Sequence, residues 1–72
     1  MIYGELIYAP DLDRLDIKTE YGNGIGGLCC GSCIEVWLDG AWQPCRVEYG
    51  HDWVLHGLFT EGQIPRNLNV RY

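Results

Sequence analysis

The stretch Ile34-Glu35-Val36-Trp37-Leu38-Asp39-Gly40-Ala41-Trp42-Gln43-Pro44-Cys45-Arg46-Val47-Glu48-Tyr49 decides the fold of this chain. Two alternating runs flank an Asp-Gly pair. That pattern signals a β-hairpin, because Asp-Gly accepts the positive φ angles of a type I′ turn. A two-residue turn sets Leu38 opposite Ala41, Trp37 opposite Trp42, Val36 opposite Gln43 and Ile34 opposite Cys45. Side chains alternate across a ribbon. One face therefore carries Ile34, Val36, Leu38, Ala41, Cys45 and Val47, and the other Glu35, Trp37, Trp42, Pro44, Arg46 and Glu48. The first is a core face. The second places two tryptophans side by side, away from the core.

Working outward, Ile2 to Ala9 reads as a first strand and Leu15 to Tyr21 as a second. Leu12 and Leu15 also have helical spacing, which leaves a short helix over 11–18 as the competing reading. The β-branched residues and tyrosine that follow favour the strand. Gly22 to Gly27 is a loop. Trp53 to Phe59 and Leu68 to Tyr72 complete the strands, with turns at Pro10-Asp11, Gly50-His51 and Glu61-Gly62. Several short strands joined by tight turns form a small sandwich or barrel. The register of the hairpin around Gly50-His51 stays open. A slip of one residue there moves Trp53 from one face to the other.

Seventy-two residues, 47% of them hydrophobic, suit one small globular domain spanning 1–72. A chain this short buries only about 60% of its unfolded surface, so its core is thin. The net charge of −5 disfavours nucleic acid and anionic membranes, both of which select positive surfaces. No stretch is long enough to span a bilayer, and the N-terminus lacks the pattern of a secretory signal. The expected location is the cytoplasm, where thiols stay reduced.

The motifs of possible chemistry have bland alternatives. Gly22-Asn-Gly-Ile-Gly-Gly27 fits Gly-x-Gly-x-x-Gly, but Leu28-Cys-Cys-Gly-Ser32 is a poor helix start and the remaining chain is too short for a βαβ unit. A strand-linking loop is the better reading. Cys30-Gly-Ser-Cys33 is a single C-x-x-C, so a zinc site needs Cys45 and a histidine such as His56 as further ligands. A regular ribbon sets Cys33 and Cys45 on opposite faces, which favours small apolar side chains over ligands. No spacing supports a Cys45–His56 nucleophile pair. His51 reads as solvated, His56 as hydrogen-bonded and partly buried, and Asp11, Asp13 and Asp16 as solvated turn charges. No enzyme and no cofactor is implied.

Trp37 and Trp42 are the strongest functional candidates. They form either a stabilising cross-strand clamp, a platform for another protein or peptide, or a contact between two copies of the chain. In the platform reading Arg46, with Glu35 or Glu48, fixes the partner's orientation.

Cys30-Gly31, Glu35-Val36, Gly40-Ala41-Trp42, Arg46-Val47-Glu48 and Trp53-Val54-Leu55 together resemble a family of short proteins of Gram-positive gut bacteria, known only as a domain of unknown function. That resemblance implies a small barrel in the cytoplasm and no assigned activity. Its members often lie beside genes of mobile elements, which raises a nucleic-acid-associated accessory role as an alternative. A second resemblance is to SH3 domains, through Leu6-Ile7-Tyr8, Arg14-Leu15-Asp16-Ile17, Trp42 and Gly62-Gln63-Ile64-Pro65-Arg66-Asn67. It implies that Tyr8, Trp42 and Pro65 line a groove for polyproline II peptides. Leu68 stands where that groove has a tyrosine, and the segments 17–34 and 42–65 exceed SH3 spacing.

The expected fold is all-β, a small SH3-like barrel of five or six short, strongly bent antiparallel strands. Its core is expected to hold Leu6, Tyr8, Ile17, Ile34, Val36, Leu38, Cys45, Val47, Val54 and Leu58, with Gly31, Gly40, Gly50 and Gly62 at turns. The expected function is a non-enzymatic interaction module, with a zinc-stabilised domain as the alternative.

Overall fold

The computed structural model describes residues 1–72. Six strands and no helix are present: β1 (Tyr3–Ala9), β2 (Arg14–Thr19), β3 (Cys33–Leu38), β4 (Ala41–Tyr49), β5 (Trp53–His56) and β6 (Asn69–Arg71). They form one antiparallel sheet in the order β2-β1-β6-β3-β4-β5. The fold is all-β and barrel-like, with the sheet left open between β2 and β5.

The β3–β4 hairpin has the register its sequence sets, from Leu38 opposite Ala41 to Cys33 opposite Arg46. Asp39 and Gly40 take φ angles of 52° and 80°, the mirror-image turn that matches strand twist. β1 and β2 meet through a tight turn at Asp13, with Leu6 opposite Ile17 and Tyr8 opposite Leu15. Residues 14–18 are thus strand, not helix. The three-residue β6 is central. It pairs with β1 on one side and β3 on the other, joining the two hairpins into one sheet.

β5 is shorter than the expected Trp53–Phe59. Gly57 turns the chain at φ 99°, a conformation in which a side chain is strained. Phe59 then folds back to exchange two backbone hydrogen bonds with Leu55. The fold-back occupies part of a free sheet edge. The β4–β5 register puts Val47 opposite Leu55, both fully buried. Leu55, not Val54, therefore faces the core. Val54 lies on the other face, half-buried.

Leu6, Ile17, Ile34, Val36, Cys45 and Val47 are buried as expected, joined by Leu15, Leu28, Leu55, Leu68 and Val70. Leu38 and Leu58 are half-buried and pack against this cluster. Tyr8 is not in the core: the residue is 49% exposed, and its hydroxyl donates to the Asp13 carboxylate. His56 is exposed rather than partly buried.

Asp16 departs furthest from expectation. It is the one buried charged residue, 3% exposed. Its Oδ1 accepts the backbone N–H groups of Ile17, Ile25 and Gly27 at 2.8, 3.1 and 3.1 Å. A buried carboxylate requires such donors, and the loop supplies two of the three. Gly24 passes so close that a Cβ there would collide with the Asp16 carboxylate. The loop is further stitched to β2 by Leu28 N–H donating to Leu15 O and Thr19 N–H to Asn23 O. The outer edge of β2 is therefore largely covered.

Candidate functional site

The outer face of the sheet gathers side chains from four strands. Trp37 of β3 and Trp42 of β4 sit directly opposite, ring centroids 5.3 Å apart and inclined at 65°. Tyr3 of β1 adds a second edge-on contact to Trp42 at 5.8 Å. Edge-to-face geometry sets the positive rim of one ring against the negative face of the next. Arg71 of β6 lies over the Trp42 ring, 4.4 Å from its centroid, as a cation–π contact. Its Nε and Nη2 donate to the two carboxylate oxygens of Glu35 at 2.9 and 3.2 Å. This fork raises the guanidinium pKa further, with the hydrogen bonds that Arg71 donates to Glu35 the largest cause.

The sequence reading gave Arg46 the cationic place beside the tryptophans. In the structure Arg46 pairs with Glu48 at 2.6 Å, and Arg71 takes that place. Glu35 does face the aromatic pair, as Arg71's anchor. Arg71 escaped sequence reading because its register follows from β6 lying between β1 and β3, a contact between the two ends of the chain.

Neither tryptophan enters the core. Trp37 is 43% exposed and Trp42 is half-buried. Beside them Met1, Ile2, Tyr3 and Tyr21 line a shallow recess of about 1160 Å³, together with Glu5, Lys18 and Glu20. Met1, Ile2, Tyr3, Tyr21 and Trp37 are all among the exposed large apolar side chains of the molecule. The sequence places Tyr21 at the end of the second strand; in the structure it lies beyond β2, in the recess that Met1 also lines. Only the fold brings both ends of the first hairpin to the tip of the second.

Tyr8 and Pro65 meet elsewhere. They line a separate groove of about 590 Å³ with Leu6, Trp53 and Ile64. Trp42 does not reach it, so the three positions that SH3 similarity brings together are divided between two surfaces. Trp53 supplies the groove's indole instead, tilted against Tyr49 with centroids 4.8 Å apart. Hydrogen bonding to Asp13, above all, raises the Tyr8 pKa.

Cys45 and His56 are not brought together as a nucleophile pair. All four cysteines are free, with Cys29, Cys30 and Cys33 exposed and Cys45 buried. Burial, then the nearby Cys33, pushes the Cys45 thiol up to about 11, and a protonated thiol is a poor nucleophile. His56 is opposite Arg46, on the face away from Cys45. No three His, Cys, Asp or Glu side chains converge to hold a metal, so Cys30, Cys33, Cys45 and His56 do not form the alternative zinc site. In the glycine-rich loop the N–H groups that would cradle a phosphate are aimed at Asp16. The bases Lys18 and Arg66 line different recesses and Arg71 is paired with Glu35.

The family model of the domain of unknown function DUF5348 matches residues 4–72. The chain belongs to that family. A crystal structure of a protein from Ruminococcus gnavus, a structural genomics target, is similar over 97% of this chain and 99% of that one, with 37% identity and a TM-score of 0.84. No curated protein matches the chain. The family description carries no activity, so the aromatic face is the feature from which a role is argued.

Proposed function

We propose that this member of the DUF5348 family is a non-enzymatic interaction module that docks through the outer aromatic face of its sheet. The observation that carries the reading is the contiguous display of Tyr3, Trp37 and Trp42, steadied by Arg71 and Glu35, beside exposed Met1, Ile2 and Tyr21. Aromatic side chains with a fixed arginine are the composition of binding hot spots. A pure stabilising clamp needs only the Trp37–Trp42 contact and leaves the neighbouring apolar groups without a role. The bidentate Arg71–Glu35 pair keeps the platform rigid before binding, which lowers the ordering cost of association.

The test is affinity capture from host lysate with wild type against a Tyr3→Ala, Trp37→Ala variant shown to be folded by its melting transition. Partners, including further copies of the chain, are expected on wild type and lost on the variant. Identical capture by both would overturn the reading.

A further inference from the structure

We infer that the occupant of the aromatic face is a second copy of this chain, related by a two-fold axis that sets Lys18 of each copy against Glu20 of the other; this rests on the reading of that face as the docking surface. Three observations support it. The first is area. Met1, Ile2, Tyr3, Tyr21 and Trp37 are 76, 39, 54, 83 and 43% exposed. At roughly 200 Å² for each large side chain, they leave about 600 Å² open. That is the upper end of the largest apolar patch on a typical monomer, about 300–600 Å², and patches of that size are often functional. It supplies about three quarters of the ~800 Å² per partner of a standard interface.

The second is charge. The recess carries one base, Lys18, and two acids, Glu5 and Glu20; Glu5 stands opposite Lys18 in the β1–β2 register, and neither Lys18 nor Glu20 closes an ion pair within the chain. A uniformly basic or acidic partner leaves a like-signed contact in this recess. A two-fold copy presents both signs, because in an isologous interface each residue meets its counterpart's partner reciprocally. The third is core size. Only 13 of 72 residues are buried. Association is one of the ways in which domains of fewer than about 80 residues add to a thin core.

The experiment is sedimentation equilibrium on wild type, Tyr21→Glu, Lys18→Glu and Glu20→Lys, from about 1 to 500 μM, spanning the affinity range of weak dimers. Wild type should dimerise, and Tyr21→Glu should be monomeric. Lys18→Glu and Glu20→Lys should each dimerise about tenfold more weakly or worse, since each sets like charges together twice. An equimolar mixture of these two variants should form a heterodimer close to wild-type affinity, because the swapped charges match again. All three substituted positions are exposed, and melting curves confirm folding. A wild type that stays monomeric overturns the inference, as does a dimer indifferent to these substitutions. If the chain is monomeric while Tyr3→Ala, Trp37→Ala still abolishes lysate capture, self-association fails and the docking face stands. If capture is also unchanged, both fail.

Discussion

The β3–β4 hairpin and the β2–glycine loop unit are built on opposite plans. The hairpin is held by contacts between residues close in sequence: a two-residue turn, six cross-strand pairs and an indole pair on its outer face. The loop that covers β2 has no regular structure of its own beyond one bridge, Lys18 to Gly24. It is organised around a single carboxylate, Asp16, that collects amides nine and eleven residues away. Distributed local contacts tolerate the loss of one member. A hub does not, because removing it leaves its donors unpaired in a buried site.

Substitutions separate these plans. The largest effect is expected for Asp16→Ala, about 3 kcal/mol or more of stability lost in urea denaturation, since hydrogen bonds to a charged group and the desolvation of orphaned amides both count. Amide hydrogen exchange at Ile25 and Gly27 should accelerate while Val36 and Val47 keep their relative protection. Equal loosening of both regions would mean that the loop is not organised by Asp16 alone. A smaller effect, about 1 kcal/mol, is expected for Gly40→Ala, which puts a Cβ at φ 80° but leaves every cross-strand pair in place. A loss as large as that of Asp16→Ala would show the hairpin to be as hub-like as the loop.

The smallest effect concerns the two sides of the hairpin. Cys45 faces the core and Cys33 does not, so iodoacetamide at pH 8 should label Cys29, Cys30 and Cys33 well before Cys45, read by peptide mass mapping. Because the folded-state pKa of Cys45 is raised to about 11, its contribution to stability is present below the usual thiol pKa and lost as pH climbs from about 9 through 11. Cys45→Ala should flatten that part of the alkaline unfolding curve. An unchanged curve would assign the alkaline loss to other groups.

Legibility in the sequence followed the same division. The hairpin's turn, register and faces were readable because β-pairing across Asp-Gly is geometrically closed: once the turn is known, each pair follows. The β4–β5 register was not, because Gly50-His51-Asp52 permits more than one turn. Val54 and Leu55 are both apolar, so alternation alone did not choose between them. Asp16 looked like a solvated charge because its donors are backbone amides of a loop, and backbone amides leave no trace in a sequence. At the candidate site, Trp37, Trp42 and Glu35 were readable from hairpin register alone. Arg46 was placed beside them for the same local reason, whereas Arg71 holds that position through β6.

The sequence by itself determined the all-β class, the central hairpin, the inner apolar face and the outward pair of tryptophans, because each depends on alternation and turn chemistry within a few residues. Only the tertiary structure decided that β6 enters between β1 and β3 and lays Arg71 on Trp42. It alone buried Asp16 under the glycine loop, and it gathered Met1, Ile2, Tyr3 and Tyr21 beside the tryptophans. Those arrangements join segments that are not neighbours in sequence, and their selection comes from closing one core over all of them at once, a condition that no local stretch of sequence contains.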